Sequence, residues 1–457
     1  AWGQFDMSGT APYTDSSGEF LIKAAGDPNC LLNLGNGVCA ASDSSGNYTH
    51  NWNGQRDILG AVQRHNLFVF LNHDLGDGRE LFAEYGQYQS EYNGNRHSVS
   101  HFSSVKFVVP ATNYYNFTGK ALLMDNYRFV DAGARVVDND KQTDRYLVGV
   151  RGQTDDGWDW ESAASYSVAE AFDVTHNRVS NTLMDALLHR TDETAYNPFN
   201  GAGVYQTGFV SHNPVDYTPG GIGPAIVDAY RANERTMTTL DFRMSKPDVF
   251  TITGGDVGMA FGVEARNDTF MDDRDPRLDG TIVFTERRTN GQLSTSAGDT
   301  YPYVSDLANS SPTPDSDGAR NVNSVYIELD VPLVSPEMNI PVVEQFDLQL
   351  AYRQEAYSDF EGTGVPRVAF GWVVNDILKI RGSQQDTFRA PNMITINESM
   401  VVRNNTRTDA ATLYAVGLGI DTDDSDGRYS VQRQAMGSSK LTAEESENST
   451  VGLVLQP

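Results

Sequence analysis

Cysteine is nearly absent. The 457 residues carry two, Cys30 and Cys39, with eight residues between them in a Gly/Asn/Ser-rich stretch. That spacing closes a small loop disulfide and is awkward for a four-ligand metal site. A Cys30–Cys39 disulfide and an oxidising compartment are therefore expected, with two unpaired structural thiols as the alternative. Long apolar runs are missing too, and none approaches the roughly 18–20 residues that cross a bilayer as a helix. A helical membrane protein is excluded. A membrane β-barrel is not, because its strands are short and apolar at only every second position. Positive charge is scarce: 34 Lys+Arg stand against 61 Asp+Glu, a formal net charge of −27. Phosphate backbones are bound by neutralising them with Lys and Arg, so nucleic acid is not expected as a partner. Neither a P-loop, a nucleophile elbow nor a Gly-rich dinucleotide fingerprint after a strand is present. Carboxylate pairs are so common in this chain that none singles out a glycosidase. No catalytic residue and no cofactor is assigned.

What is there is alternation of period two. In Val325-Tyr326-Ile327-Glu328-Leu329-Asp330-Val331-Pro332-Leu333 every odd position is aliphatic, while Glu328 and Asp330 sit between. Phe346, Leu348, Leu350 and Tyr352 alternate likewise with Asp347, Gln349 and Arg353. The same pattern sets Val257, Met259, Phe261 and Val263 against Glu264, and Tyr146, Val148 and Val150 against Arg145 and Arg151. Such segments are strands with one apolar and one polar face. Turn signals join them in pairs at Leu75-Gly76-Asp77-Gly78-Arg79, Asp155-Asp156-Gly157 and Val374-Asn375-Asp376. Between pairs the connections are long and polar, at 93–126, 170–234, 267–323 and 386–449. Compact soluble domains seldom hold several structureless loops beyond about 15 residues, whereas outer-membrane barrels have short turns at one rim and long loops at the other.

Three places strain this scheme. Runs 127–138 and 144–153 are joined by a few residues where a long outer loop is due, which predicts a small hairpin above the membrane. The inner turns 247–256 and 334–345 are longer than tight hairpins. Residues 182–190 form a short helical turn inside a loop.

The polar faces mix opposite charges with Gly and Ala, as in Gly262-x-Glu264-x-Arg266, Arg353-x-Glu355 and Lys379-x-Arg381. That suits a crowded polar lumen, because a charge on the lipid face costs roughly 2–4 kcal/mol near the midplane. Aromatics gather near strand ends, at Trp158 and Trp160, Tyr352 and Tyr357, Phe370 and Trp372, where amphipathic rings fit the headgroup zone. A soluble all-β sandwich alternates in the same way, and period alone leaves it open.

Four ordered phrases go further. They are Gly255-Asp256-Val257-Gly258-Met259-Ala260-Phe261-Gly262-Val263-Glu264-Ala265-Arg266; Tyr326-Ile327-Glu328-Leu329 with the strand ending Tyr357-Ser358-Asp359-Phe360; Leu378-Lys379-Ile380-Arg381-Gly382-Ser383 leading to Phe388-Arg389-Ala390-Pro391; and Leu441-Thr442-Ala443-Glu444-Glu445-Ser446. Together they resemble the barrel of TonB-dependent outer-membrane receptors. Pro110-Ala111-Thr112-Asn113-Tyr114-Tyr115 and Tyr196-Asn197-Pro198-Phe199 are similar to loop phrases of the subgroup often assigned to oligosaccharide or other organic nutrients.

The resemblance implies an all-β, partial antiparallel transmembrane β-barrel with long extracellular loops. About a dozen strands are read here, of about 22 in such barrels. It also implies a plug domain ahead of the barrel and closing strands after Pro457. Neither is read in these residues, so an internal stretch of a longer receptor is expected: 1–62 an extracellular loop with the disulfide, 63–457 barrel strands and loops. The implied function is active import across a Gram-negative outer membrane, with the TonB energy-transducing complex, a small nutrient ligand and outer-membrane lipid as partners. A cell-surface adhesin or structural barrel, a ferric-siderophore receptor and a secreted carbohydrate-active enzyme are the alternatives.

Candidate ligand contacts are the loop aromatics Tyr114, Tyr115, Phe117, Tyr196, Phe199, Tyr205, Tyr301 and Tyr303, because flat rings stack on sugars or apolar ligands at low entropy cost; the bland reading is loop packing. Acidic clusters at Asp272-Asp273-Arg274-Asp275, Asp315-Ser316-Asp317-Gly318 and 421–427 suggest Ca²⁺ loops, but the last lacks the Glu that would close an EF-hand. They are read as solvated loops. His97 and His101 lack further ligands, so no metal is expected. An acidic surface disfavours anionic siderophores at close range unless loop-local charge reverses it.

Overall fold

The alternating segments are strands, and most are longer than the apolar pattern alone marks. The structure, a computed structural model, describes residues 3–35, 37–42, 52–100, 107–201, 220–285, 305–408, 410–418 and 428–456. In chain order the strands are β1 (Gln4–Met7), β2 (Glu19–Ala24), β3 (Leu32–Gly35), β4 (Val38–Ser42), β5 (Ala61–Gly76), β6 (Arg79–Arg96), β7 (Phe107–Val109), β8 (Leu122–Asn126), β9 (Arg135–Gln153) and β10 (Asp159–Val179). Helix α1 (Asn181–Leu188) follows. Then come β11 (Ile226–Ile252), β12 (Gly255–Arg274), β13 (Ser316–Val334), β14 (Gln345–Tyr357), β15 (Thr363–Val373), β16 (Leu378–Arg389), β17 (Val401–Thr408), β18 (Arg428–Ala435) and β19 (Glu444–Leu455).

Eleven of them form one antiparallel sheet in the order β19-β16-β15-β14-β13-β12-β11-β10-β9-β6-β5. Neighbours in sequence are neighbours in space, as an up-and-down barrel wall requires. β5 and β19 are its edges, so the sheet is part of a barrel. Short turns lie at one rim. Between β5 and β6 the chain reverses at Gly76, Asp77 and Gly78, all at positive φ, where glycine carries no Cβ penalty. The other rim carries the long connections.

The register of this wall separates two faces. Val69, Tyr85, Tyr146 and Tyr166 are successive cross-strand partners on one face, and Leu71, Ala83, Val148, Ala164, Leu240 and Ala265 form another such row. These rows are open: Leu71 is 53% and Leu240 59% exposed. One row beyond the tyrosines the same face turns polar: the Tyr85 hydroxyl donates to Asp144 at 2.8 Å, and Gln87 donates to the same oxygen at 3.2 Å. An apolar band closed by phenols and then by amides and carboxylates is the profile of a lipid-facing surface with its aromatic girdle.

Two sequence expectations are corrected here. The runs 127–138 and 144–153 do not form a hairpin: β9 continues through 138–144, paired on one side with β6 and on the other with β10. Those residues are polar because they stand above the apolar band, and polarity mimicked a turn. The expected inner turn at 247–256 is mostly strand. β11 absorbs Pro247 in a register shift between Lys246 and Phe250 and runs on to Ile252, since a bulge tolerates the missing proline N–H. The longer turn before β14 is present, with a 3-10 turn at Pro336–Met338.

A second sheet, β3-β4-β2-β1-β8-β7, is assembled from 4–42 and 107–126 at the long-loop rim. It shares a buried core with α1 and the adjoining loops, formed by Phe5, Phe20, Phe107, Met184, Leu187 and Tyr196 among others. Helix α1 starts where Ser180 accepts the Leu183 N–H, a side-chain N-cap, and it buries Met184, Leu187 and Leu188. The helical turn expected at 182–190 is therefore a packed element of this layer.

Candidate functional site

The inner face of the wall is built from charge. Across β6 and β9, Glu80 pairs with Arg151 at 3.1 Å and Glu84 with Arg145 at 3.0 Å. Arg243 pairs with Glu161 at 2.7 Å, Arg353 with Glu355 at 2.5 Å, and Arg266 lies between Glu264 and Asp268 at 3.7 and 3.0 Å. Small residues make room for larger neighbours: a Cβ on Gly149 would lie 2.3 Å from the Phe82 ring, and the Arg151 guanidinium lies over that ring. Half-exposed pairs of this kind contribute little stability each; their effect is a wetted, polarised surface suited to a water-filled or plugged interior.

Above the wall, the aromatic residues expected to meet ligand divide. Tyr196 is fully buried: its hydroxyl donates to Asp131 at 2.9 Å and lies 2.7 Å from the Tyr127 hydroxyl. Phe199 is buried between Phe5 and Phe117, with ring centroids 5.0 and 5.2 Å away. Phe117 packs on the same core. These three rings hold the loop layer together. Tyr115 is half-buried and donates to the Glu193 carbonyl at 2.9 Å. Tyr114, 57% exposed, stands edge-on to Tyr115, and this pair presents free ring surface. Tyr205, Tyr301 and Tyr303 lie outside the described residues.

The acidic cluster at 272–275 is engaged in ion pairs and caps. Asp272 holds Arg231 at 2.7 Å and Arg274 at 2.6 Å, Asp275 caps the turn Pro276–Asp279, and Asp315 accepts the Arg274 N–H. The 421–427 cluster and His101 fall outside the described residues. Among the described residues no three metal-ligating side chains converge. Cys30 and Cys39 are separate thiols in this structure rather than a bonded pair. Burial pushes the Cys39 thiol up to about 12, and the adjoining Cys30 adds to it.

The sequence reading missed a group of arginines where wall meets loop layer. Arg96 ends β6 and is the register partner of Arg135 at the start of β9. Parity places both on the same inner face as Glu80, Glu84, Arg145 and Arg151. Arg178, at the end of β10, has an even number and would face outward, but a register shift between Thr175 and Arg178 reverses the parity. Asn177 takes φ 58° in that bulge and donates to the Ala134 carbonyl at 2.7 Å. Arg178 is only 8% exposed, donates to the Ala308 carbonyl at 3.2 Å and to Ser310, and leaves its Nε without a partner. Burial lowers its pKa to about 9 and that of Arg135 to about 10, with the neighbouring arginines adding in both cases. His97, beside them, is lowered by burial and by Arg135, Arg128 and Arg56, against a raising hydrogen bond to Ser98. A single sequence offers no sign of this convergence, because the bulge decides it.

Residues 178–457 match the family described as TonB dependent receptor-like, beta-barrel. The chain belongs to the TonB-dependent receptor family. Membership places this receptor barrel in the outer membrane. Solved structures similar to the barrel include a mutant of the ferric enterobactin receptor PfeA of Pseudomonas aeruginosa, at 13% identity and TM-score 0.45 over 96% of this chain and 46% of that one. The alcaligin outer-membrane receptor FauA of Bordetella pertussis matches at 9% identity and TM-score 0.39, over 89% and 46%. The ferripyoverdine receptor of Pseudomonas aeruginosa matches at 11% and 0.41, over 95% and 52%. The chain thus spans about half the length of these receptors. No curated protein matches it in sequence.

Proposed function

We propose that the chain is the barrel-wall and outer-loop portion of an active importer, which binds a small organic nutrient at its outer loops and moves it inward with TonB-delivered energy. The observation that carries this reading is the two-faced wall: an apolar outward band closed by tyrosines, and an inner face of ion pairs on which, among the described residues, no core packs. An adhesin needs only the outer loops and has no use for a polarised interior. In this reading residues 1–62 are an outer loop segment and 63–457 supply wall and loops around a plug. Tyr114 and Tyr115 are the aromatic contacts for ligand, with a carbohydrate-like or other organic nutrient as the substrate class.

The test uses the full-length protein. It should fractionate with the outer membrane, migrate faster on gels before boiling than after, and support uptake only when TonB is present. A soluble band with no heat shift would overturn the membrane reading, and uptake indifferent to TonB would overturn the energy coupling.

A further inference from the structure

Towards the short-turn rim, arginines on the inner face between β6 and β9 have acids beside them: Glu80 is the register partner of Arg151, and Glu84 reaches Arg145 diagonally. At the loop end no such acid stands beside them, and Arg96 is directly opposite Arg135. Directly opposed side chains have Cβ atoms about 4.5–5.5 Å apart, so two like charges there repel. The β10 bulge then brings a third guanidinium, Arg178, to the same face. Among the described residues no carboxylate pairs with Arg96, Arg135 or Arg178. In a chain with a net charge of −27, acid was available to neutralise them.

Three further observations define what fits. Arg178 is buried with an unsatisfied Nε, an arrangement that leaves a desolvated donor in need of an acceptor. Arg96 is exposed, so the group is reachable. The site is on the inner face, which separates it from lipid headgroups and lipopolysaccharide phosphates outside the wall.

We propose that Arg96, Arg135 and Arg178 form an anion-binding site at the outer end of the lumen, taking the carboxylate or phosphate oxygens of an organic ligand. Planar guanidinium forks match such oxygens two at a time. An anion there relieves the repulsion between the opposed arginines and satisfies Arg178. The site deepens the import reading, on which it rests, by assigning the nutrient an acidic group. It supplies the local reversal of charge that lets an acidic protein accept an anionic ligand.

The experiment titrates full-length receptor in detergent with inorganic pyrophosphate and with glucuronate, and uses glucose as the neutral control. Two variants are compared: Arg135→Gln and Arg96→Glu. The second recreates the acid-opposite-base pairing found at Glu80–Arg151, so it is expected to fold with unchanged or raised thermal stability. Pyrophosphate and glucuronate are expected to bind wild type and to weaken about tenfold or more in both variants, the effect of losing a charge-assisted contact. Affinity unchanged in Arg96→Glu, or anions binding wild type no better than glucose, would overturn the proposal. Heat-modifiable mobility of the same samples separates the two readings. A shifted outer-membrane band without anion binding removes the anion site alone, and an unshifted soluble band removes the receptor reading as well.

Discussion

Asp306 and Arg277 form an ion pair of 2.6 Å between two loops, and the same Asp306 accepts the Ser180 hydroxyl at 2.7 Å and the Thr182 N–H at 2.9 Å. One fully buried carboxylate thus fixes the start of α1, the turn after β12 and the segment before β13 in a single knot. Removing it leaves Arg277 and the first turn of α1 without their acceptor. Asp306→Ala is expected to destabilise the loop layer by about 3 kcal/mol while the wall keeps its heat-modifiable mobility. Limited proteolysis of the folded receptor reads both, and loops as resistant as wild type would show that the knot is dispensable.

Tyr196 and Tyr114 are expected to part company on mutation. Tyr196→Phe removes the hydroxyl that donates to the buried Asp131 carboxylate, at a cost of about 1–3 kcal/mol in loop stability. Tyr114→Ala stays within about 0.5 kcal/mol of wild type, as surface changes do, and lowers ligand affinity. Thermal unfolding followed by ligand titration distinguishes the two roles; equal stability losses would place Tyr114 in the core as well.

The wall makes a sided prediction. Leu240→Arg puts a charge into the apolar band and is expected to cost about 2–4 kcal/mol if it lies near the midplane, seen as a lower denaturant midpoint for folding into lipid vesicles. Ser245→Arg, one face over and among ion pairs, is expected to cost much less. Equal costs would contradict the assignment of inner and outer faces.

His176 supplies the pH dependence. It stands in the β10 bulge above the apolar band, 3.1 Å from Asp138 and 2.9 Å from Asp228. Burial lowers its pKa, but the hydrogen bonds and charges of Asp228 and Asp138 outweigh that, so the net shift is upward. A raised folded pKa means the stabilisation is fully present below the unfolded value of about 6.5 and is lost as pH rises through the folded value. Both partners are exposed, so screening keeps the effect small. Loop-layer unfolding measured from about pH 6 to about pH 9 should shift downward in wild type and stay flatter in His176→Ala; parallel profiles would remove His176 as the cause.

We also expect Cys30 and Cys39, adjacent thiols here, to oxidise to a disulfide at the cell exterior. Alkylation before reduction should then label neither, and both after reduction. Two labels without reductant would leave them as thiols.

The sequence by itself determined the wall. Period-two alternation at 325–333, 346–353 and 257–264 follows from the pleat, which sends successive side chains to opposite faces, and lipid on one side forces every second position to be apolar. It also marked the turn at Gly76-Asp77-Gly78, where the backbone itself demands glycine. Only the tertiary structure decided what stands above the membrane. There both faces meet water or protein, so polarity no longer reports orientation, and β9 through 138–144 reads like a turn although two neighbours pair with it. Tyr196 and Tyr114 are alike in sequence, yet contacts far along the chain bury one and leave the other open. The arginines are the sharpest case. Arg96 and Arg135 oppose each other by register, and Arg178 joins them through a one-residue bulge at Asn177. Strand pairing, not residue order, sets which charges share a face.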